Sequence, residues 1–400
     1  MRRRVKITGI GPVTPAGIGR EEFFRGINES VSRVRAITRF DPAAGPFVAA
    51  EIIDFDLKKY LPRENIKRWP RHNQFGLAAT ILALEDAGLS AKDLAGKHPI
   101  IVTGTTMMDF ESVTKTVEYV AKKGPKFGLA SAVNQALAIS IADCIASYLE
   151  TPARILSLQT ACCSGLDAIG HGADFIANGQ SDFVICGGSE APLYYHPMLE
   201  LGMAELAPKT DEFPTEICRP FDLWRTTGVF GEGAALFVLE PEESPRPGYA
   251  FISGYGYAND HTDHIDTGWN NSMRMALANA KRTAREIDFI SAWGPGHKRI
   301  DATEAYALRK VFGTGLNETP VASIKGSIGS PMAAAGAIQV ASTALAIKHG
   351  IIPPTVNWTT PDPDCPLNLS SKSRRIQSKT SLINGHGISG NNSCLILERI

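Results

Sequence analysis

The chain has 400 residues, with 41 Lys and Arg against 41 Asp and Glu. No global field therefore draws it to nucleic acid or to an acidic membrane, and an acidic partner would need a local basic patch. Hydrophobic residues make up 44%, enough for a large core in one large domain or two ordinary ones, yet no apolar run is long enough to span a bilayer. Seven cysteines, an odd set with two adjacent and no paired C-x-x-C, point to a reduced, cytoplasmic setting without a disulfide framework or metal site.

Residues 1–17, MRRRVKITGIGPVTPAG, read as a first strand (Val5 to Ile10) and a turn, because glycines and prolines break the apolar part too early for a signal peptide. Glu21 to Ile27 follows as a short amphipathic helix, and Ile37 to Ile53 as irregular chain. Leu57 to Arg71 is basic, a pattern that is usually a solvated face. The spacing predicts a helix over Asn73 to Ala87, closed by Gly88, then a strand at Ile100 to Val102, a pocket-lining loop from Thr103 to Met108, and a helical region over Ala130 to Leu149.

Arg154 to Glu190 is the stretch around which the rest of the chain is arranged. Ile155 to Leu158 reads as a buried strand. Thr160-Ala161-Cys162-Cys163-Ser164-Gly165 makes a sharp corner. A helix follows, with Leu166, Ile169, Ala173, Phe175 and Ile176 on its apolar side, until Asn178-Gly179 ends it and Phe183 to Cys186 starts another strand. A thiol at such a corner lies at a helix N-terminus, where free N–H groups stabilise a thiolate and can hold an oxyanion, the logic of a nucleophile elbow. Cysteine is also a common small core residue. That reading suits Cys144, Cys186, Cys218, Cys365 and Cys394, while the pattern leaves both readings open for Cys162.

Beyond Glu190 the chain is irregular as far as a loop at Gly231 that runs into a strand ending at Leu239, and Pro241 to Pro247 reads as a linker. Ile7-Thr8-Gly9-Ile10-Gly11 is then echoed by Ile252-Ser253-Gly254-Tyr255-Gly256, which suggests two related halves, 1–245 and 246–400. The second half alternates: helix (Ser272 to Ile287), strand (Phe289 to Ala292), helix (Asp301 to Val311), strand (Val321 to Ile324), helix (Met332 to His349) and closing strands. Such alternation implies an α/β fold with covered sheets.

The motifs resemble the β-ketoacyl-acyl-carrier-protein synthases of the thiolase superfamily, in particular the synthase II type. They run in order along the chain: VKITGIGPVTPAG, QTACCSG, ICGGSEA, RPFD, GEGAALFVLE, the K-x-x-x-G segment at Lys325 to Gly329, AAAGAI and IPPTVN. The resemblance implies a thiolase-like five-layered α-β-α-β-α fold from two duplicated halves, a homodimer or heterodimer, no cofactor, and Cys162 as the residue that takes an acyl chain from an acyl carrier protein or CoA thioester. Cys163 fills a variable position. Lys67 and Arg68 align with the family's basic patch and are expected to meet the acidic carrier protein.

This sequence departs from the family pattern where the chemistry lies. Trp293 and Ser330 stand where the family has its two histidines. Lys325 is kept, but its acidic partner is replaced by Gln339. Ile388 occupies the gate, with His386 just before it, and Gly228 stands where a phenylalanine is expected, so the pocket should have an altered shape. Losing one preorganised donor costs on the order of a hundredfold in rate, so loss of both histidines should slow or abolish decarboxylative condensation. Acylation of Cys162 needs only a thiolate and the backbone N–H groups of Cys162 and Ile388. The reading is therefore an acyltransferase with His297 or His386 as base, and His264 as a further candidate. The alternatives are a non-condensing subunit like a chain-length factor, or a true synthase with a rebuilt enolate site.

Overall fold

The computed structural model describes residues 2–41, 47–61, 69–260 and 266–400. Lys67, Arg68 and His264 lie outside them. Ten strands and the short hairpin strand Gly17–Ile18 share one hydrogen-bonded sheet. In chain order the ten are β1 (Val5–Thr14), β2 (Ile100–Gly104), β3 (Arg154–Leu158), β4 (Val184–Glu190), β5 (Gly233–Pro241), β6 (Ala250–Asn259), β7 (Phe289–Ser291), β8 (Val321–Ala322), β9 (Thr380–His386) and β10 (Asn391–Arg399).

Their spatial order is β8-β7-β9-β10-β6-β1-β5-β4-β2-β3. From the central pair outward, the order β1-β5-β4-β2-β3 is repeated as β6-β10-β9-β7-β8. The directions repeat as well. β2 runs parallel to β3 and β4, as β7 does to β8 and β9, while β5 and β10 are antiparallel to both of their neighbours. The two sets join through only Val5↔Ile252 and Lys6↔Phe251.

The main helices are α1 (Arg20–Ile27), α2 (Arg71–Asp86), α3 (Phe110–Lys123), α4 (Ser140–Leu149), α5 (Ser164–Ala177), α6 (Thr267–Ala280), α7 (Lys298–Phe312) and α8 (Ala333–His349). Side chains alternate across each strand, and both faces here are covered, which is why the strands read as continuous apolar runs. In β5, Phe237 and Leu239 join the central core with α5 and α8, while Leu236 and Val238 pack outward under α2 and α4. In β10, Leu395 and Leu397 face the centre, and Cys394 and Ile396 face α6 and α7. The layers are thus α2/α4, sheet, α5/α8, sheet, α6/α7.

Glycines explain both the five-residue echo and the tight middle layer. A Cβ on Gly9 or Gly11 of β1 would lie 2.1 Å from Ala83 O or 1.8 Å from Ala79 O of α2, and one on Gly254 or Gly256 of β6 would lie 2.2 Å from Ala276 O or Ser272 O of α6. The same two glycines let the first strand of each half press against its outer helix. At Gly336 of α8 an added Cβ would meet Leu166 Cβ of α5 at 2.7 Å, and α8 is buried from Ala333 to Ile347.

Several boundaries differ from the sequence reading. Ile37 to Ile53 is not wholly irregular, because Val48–Ala50 pairs with Val34–Ala36. The segment before β3 is broken into Ala132–Gln135 and α4. Helix α6 ends at Ala280 rather than Ile287, since Lys281 turns left-handed. Two helices were missed, Tyr195–Met203 and α3. Helix α3 has an apolar stripe of Phe110, Val113, Val117 and Val120 but buries none of its residues.

Candidate functional site

Strand β3 ends at Leu158, and the chain reverses through Ala161–Cys163 into α5. Ala161 carries the positive φ of this corner, 53°, a conformation that costs energy for a residue with a Cβ and collects at functional turns. Side chains fasten the corner. Ser164 Oγ accepts from Thr160 N at 2.9 Å and donates to Ala161 O at 2.5 Å. Asp167, one turn into α5, accepts from the hydroxyls of Thr160, Ser393 and Tyr255, and so ties the elbow to β6 and β10.

Cys162 borders a cavity whose rim includes the exposed Ile388, and Cys163 is buried on another side, its thiol donating to Asn391 O at 3.3 Å. The backbone N–H groups of Ile388 and of Cys162 itself lie beside the sulfur of Cys162 and favour its charged form, the two groups expected of an oxyanion pocket. The expected thiolate does not follow. Burial pushes the Cys162 thiol up to about 12, outweighing the two N–H groups and the more distant Lys325 charge. The elbow stands one residue outside α5, and removing the sulfur from water costs more than the helix end returns.

Trp293, His297, Ser330, His386, Ile388 and Gly228 all line the same cavity as Cys162, together with Leu206, Val229, Phe230, Pro295 and Ile300. Its free volume is about 40 Å³, room for a few water molecules rather than an acyl chain. A Cβ added at Gly228 would lie 3.2 Å from Pro295 O and 3.9 Å from Leu206 O, so the chain closes up against this side of the cavity. Neither the indole N–H nor Ser330 Oγ has a hydrogen-bond partner among the described residues.

The loop carrying Trp293 is clamped from α7. Glu304 accepts from the N–H of Trp293 and Gly294, each at 2.8 Å, and from Asn384 Nδ2 at 3.1 Å. Asp301 accepts from Gly296 N at 3.2 Å and Phe221 N at 2.7 Å, and burial raises its carboxyl to about 7. This acidic pair was missed, although its spacing of three residues on one helix face was readable.

Lys325 is buried behind the cavity and donates to Trp293 O and, at 3.0 Å, to Gln339 Oε1, with its nitrogen 3.8 Å from the centre of the Trp293 ring. Burial pulls its pKa down and Glu304 opposes this. Three acceptors around the nitrogen suit a charged ammonium. Gln339 is fitted to its position, because its amide nitrogen faces Ala292 O at 3.0 Å, Asn384 O at 3.2 Å and Ser291 O at 3.3 Å. A carboxylate cannot donate to these carbonyls.

The two cavity histidines are held differently. His297 caps α7, its Nδ1 accepting from Ile300 N at 3.3 Å. His386 lies at the end of β9, stacked 5.0 Å from Trp269 at 14°, with Nδ1 2.9 Å from Asn392 Oδ1. Burial lowers the pKa of both, so each is neutral near pH 7. Asn392 and its neighbour Asp260 were not foreseen, since no local pattern links residues so far apart.

Residues 2–244 match the β-ketoacyl synthase N-terminal domain and residues 249–359 the C-terminal domain of the same enzymes. The 3-oxoacyl-[acyl-carrier-protein] synthase 2 of Coxiella burnetii is 30% identical over 413 residues, covering 100% of this chain and 99% of its own. Among solved structures, the ishigamide ketosynthase/chain length factor superposes with a TM-score of 0.93 at 32% identity, covering 100% of both chains. A type II polyketide synthase acyl-carrier protein in complex with its ketosynthase bound to the hexaketide matches with a TM-score of 0.92 at 25% identity, again over 100% of both chains. The fold, the order of motifs and these matches agree: the chain belongs to the β-ketoacyl synthase family.

Proposed function

We propose that this chain is a ketosynthase-type acyltransferase of polyketide or fatty-acid-type metabolism, which loads an acyl group from a carrier-protein or CoA thioester onto Cys162 and passes it to an acceptor without decarboxylating malonyl units. One observation carries the reading: Cys162 shares its cavity with Trp293 and Ser330 and has the backbone N–H groups of Cys162 and Ile388 beside its sulfur; against the family motifs, Trp293 and Ser330 are read as standing where its two histidines belong. Neither can become cationic, so an enolate formed there lacks the support that decarboxylation requires. Loading breaks the donor C–S bond, forms a new one to Cys162, and returns a proton to the departing thiol. Two thiolase-like halves meeting near residue 245 frame this site, and Lys67 and Arg68 are the docking residues for the acidic carrier.

Intact-protein mass spectrometry after incubation with acyl-carrier proteins and acyl-CoAs tests the reading. A mass increase that disappears in Cys162→Ala is expected, with no carbon dioxide released from malonyl-carrier protein. Steady release from the wild type would establish a condensing enzyme instead.

A second reading is a chain-length-factor-like subunit of a heterodimer. The cavity of about 40 Å³ favours it, as does the edge strand β3, which carries half-buried Ile155, Leu156 and Leu158. Val113, Val117, Val133 and Leu137 are exposed elsewhere in this half. A pairing surface of this kind also serves a homodimer. Absence of any acyl adduct, together with co-purification of a second ketosynthase chain, would select the heterodimer.

A further inference from the structure

Resting on the acyl-transfer reading, we propose that His386 is the general base that takes the proton of a neutral hydroxyl or amine acceptor, and that Asn392 and Asp260 hold it in the tautomer this requires. The argument starts at the Asn392 amide. Its nitrogen donates to Asp260 Oδ1 at 2.9 Å and to Gly390 O at 3.0 Å. Both partners are acceptors only, so this end of the amide must be the NH₂ group and the oxygen must face His386. Asp260 is fixed in turn by Gly268 N, which donates to the same Oδ1 at 2.9 Å. An amide oxygen cannot donate, so His386 Nδ1 carries the proton and Nε2 carries the lone pair. Trp269, 1% exposed, fixes the ring plane from its other face.

His386 borders the cavity of Cys162. Its neighbour Gly387 packs on the elbow so closely that an added Cβ would lie 3.3 Å from Cys162 N, and the N–H of the next residue, Ile388, lies beside the sulfur. A base and an oxyanion donor thus sit two residues apart on one loop. His297 has the reverse arrangement. Its Nδ1 accepts the helix-capping N–H, so in the neutral ring Nε2 carries the proton and serves as a donor rather than a base.

The transfer balances without any added reagent. Nε2 of His386 accepts the proton of the acceptor X–H as X attacks the acyl-Cys162 carbonyl. The carbonyl electrons move to oxygen, which the N–H groups of Cys162 and Ile388 hold. Collapse expels the Cys162 sulfur, and the proton on Nε2 returns to it. The products are acyl–X and free thiol. Water is the smallest acceptor of this class.

Wild type, His386→Gln and Asn392→Ala would be acylated on Cys162 from an acyl-CoA, and decay of the adduct in water and in ethanolamine followed by intact mass. Positioned general bases contribute about 10²–10⁴-fold, so His386→Gln should slow decay at least about a hundredfold, and Asn392→Ala should lower its maximal rate with little change in the ethanolamine concentration for half-maximal effect. Long-range ¹H–¹⁵N spectra of ¹⁵N-histidine protein, assigned by the signal lost in His386→Gln, should show Nδ1 protonated and Nε2 bare in the wild type, with that preference lost in Asn392→Ala. Equal decay in wild type and His386→Gln, or a wild-type His386 protonated on Nε2, would overturn the proposal. Should His386→Gln not fold, the wild-type tautomer and the Asn392→Ala decay decide. Failure of the wild type to acquire any adduct would instead count against the acyl-transfer reading, and the tautomer would still judge the arrangement of His386.

Discussion

Cys162 should react slowly with small alkylating agents in the resting structure. Burial moves it from 9.0 to about 12, which makes the thiolate about a thousandfold scarcer near neutral pH than for a thiol left at the starting value. Opening the cavity is the direct perturbation, and Trp293 is the residue to remove: it lines the cavity and is itself 3% exposed. Trp293→Ala admits water to the sulfur, leaves the N–H groups of Cys162 and Ile388 in place, and should raise the alkylation rate of Cys162 by iodoacetamide at pH 7.5 by about ten- to a hundredfold. The assay is peptide mass spectrometry over time, with the six other buried cysteines as internal references. The same truncation should lower unfolding free energy by about 3–5 kcal/mol, so alkylation must be measured well below the denaturation midpoint. A wild-type Cys162 that alkylates faster than a free thiol at pH 7, or an inflection below pH 8, would refute the reasoning. Either would mean that the elbow's N–H groups outweigh burial.

Three further outcomes follow from the packing and the polar network. Gly336→Leu forces a side chain into Leu166 and should cost at least about 1–3 kcal/mol, read as a lowered midpoint in urea. Gln339→Glu sets a carboxylate against the carbonyls of Ser291, Ala292 and Asn384. The same side chain accepts from the Lys325 ammonium at 3.0 Å, so the carboxylate gains an ion pair while it loses the amide's donated hydrogen bonds. The lost donor should cost about 1–3 kcal/mol, read as a lowered midpoint in urea, and a midpoint at or above that of the wild type would show that the Lys325 pair outweighs it. Lys67→Glu with Arg68→Glu should slow loading of Cys162 from an acyl-carrier protein and leave loading from acyl-CoA unchanged; equal slowing with both donors would remove these residues from the docking role.

Local signals carried much of the architecture. The elbow was legible because strand, corner and helix are consecutive, and each leaves its own periodicity over residues 155–177. The duplication was legible because each half needs glycines where its first strand crosses a helix backbone, as at Gly9, Gly11, Gly254 and Gly256. Comparison with the family motifs singled out Trp293 and Ser330, which line the cavity of Cys162, and Gln339, which meets Lys325 behind it. Helix α3 was readable from Phe110, Val113, Val117 and Val120 at helical spacing and was missed; what the sequence does not show is that this stripe is left unburied by its own chain.

What tertiary structure alone decided is how the side chains of that site behave. Sequence placed Cys162 at a helix end, but its ionisation depends on which residues exclude water from it, and Trp293 comes from 131 positions away. Sequence named His297 and His386 as equals; their opposite tautomers follow from Ile300 N on one and Asn392 Oδ1 on the other. A histidine's proton goes to whichever nitrogen finds an acceptor. For His386 that acceptor is itself oriented by Asp260, brought alongside by the pairing of β10 with β6. Periodicity is written along the chain, whereas desolvation and hydrogen-bond direction are set by atoms that only folding brings together.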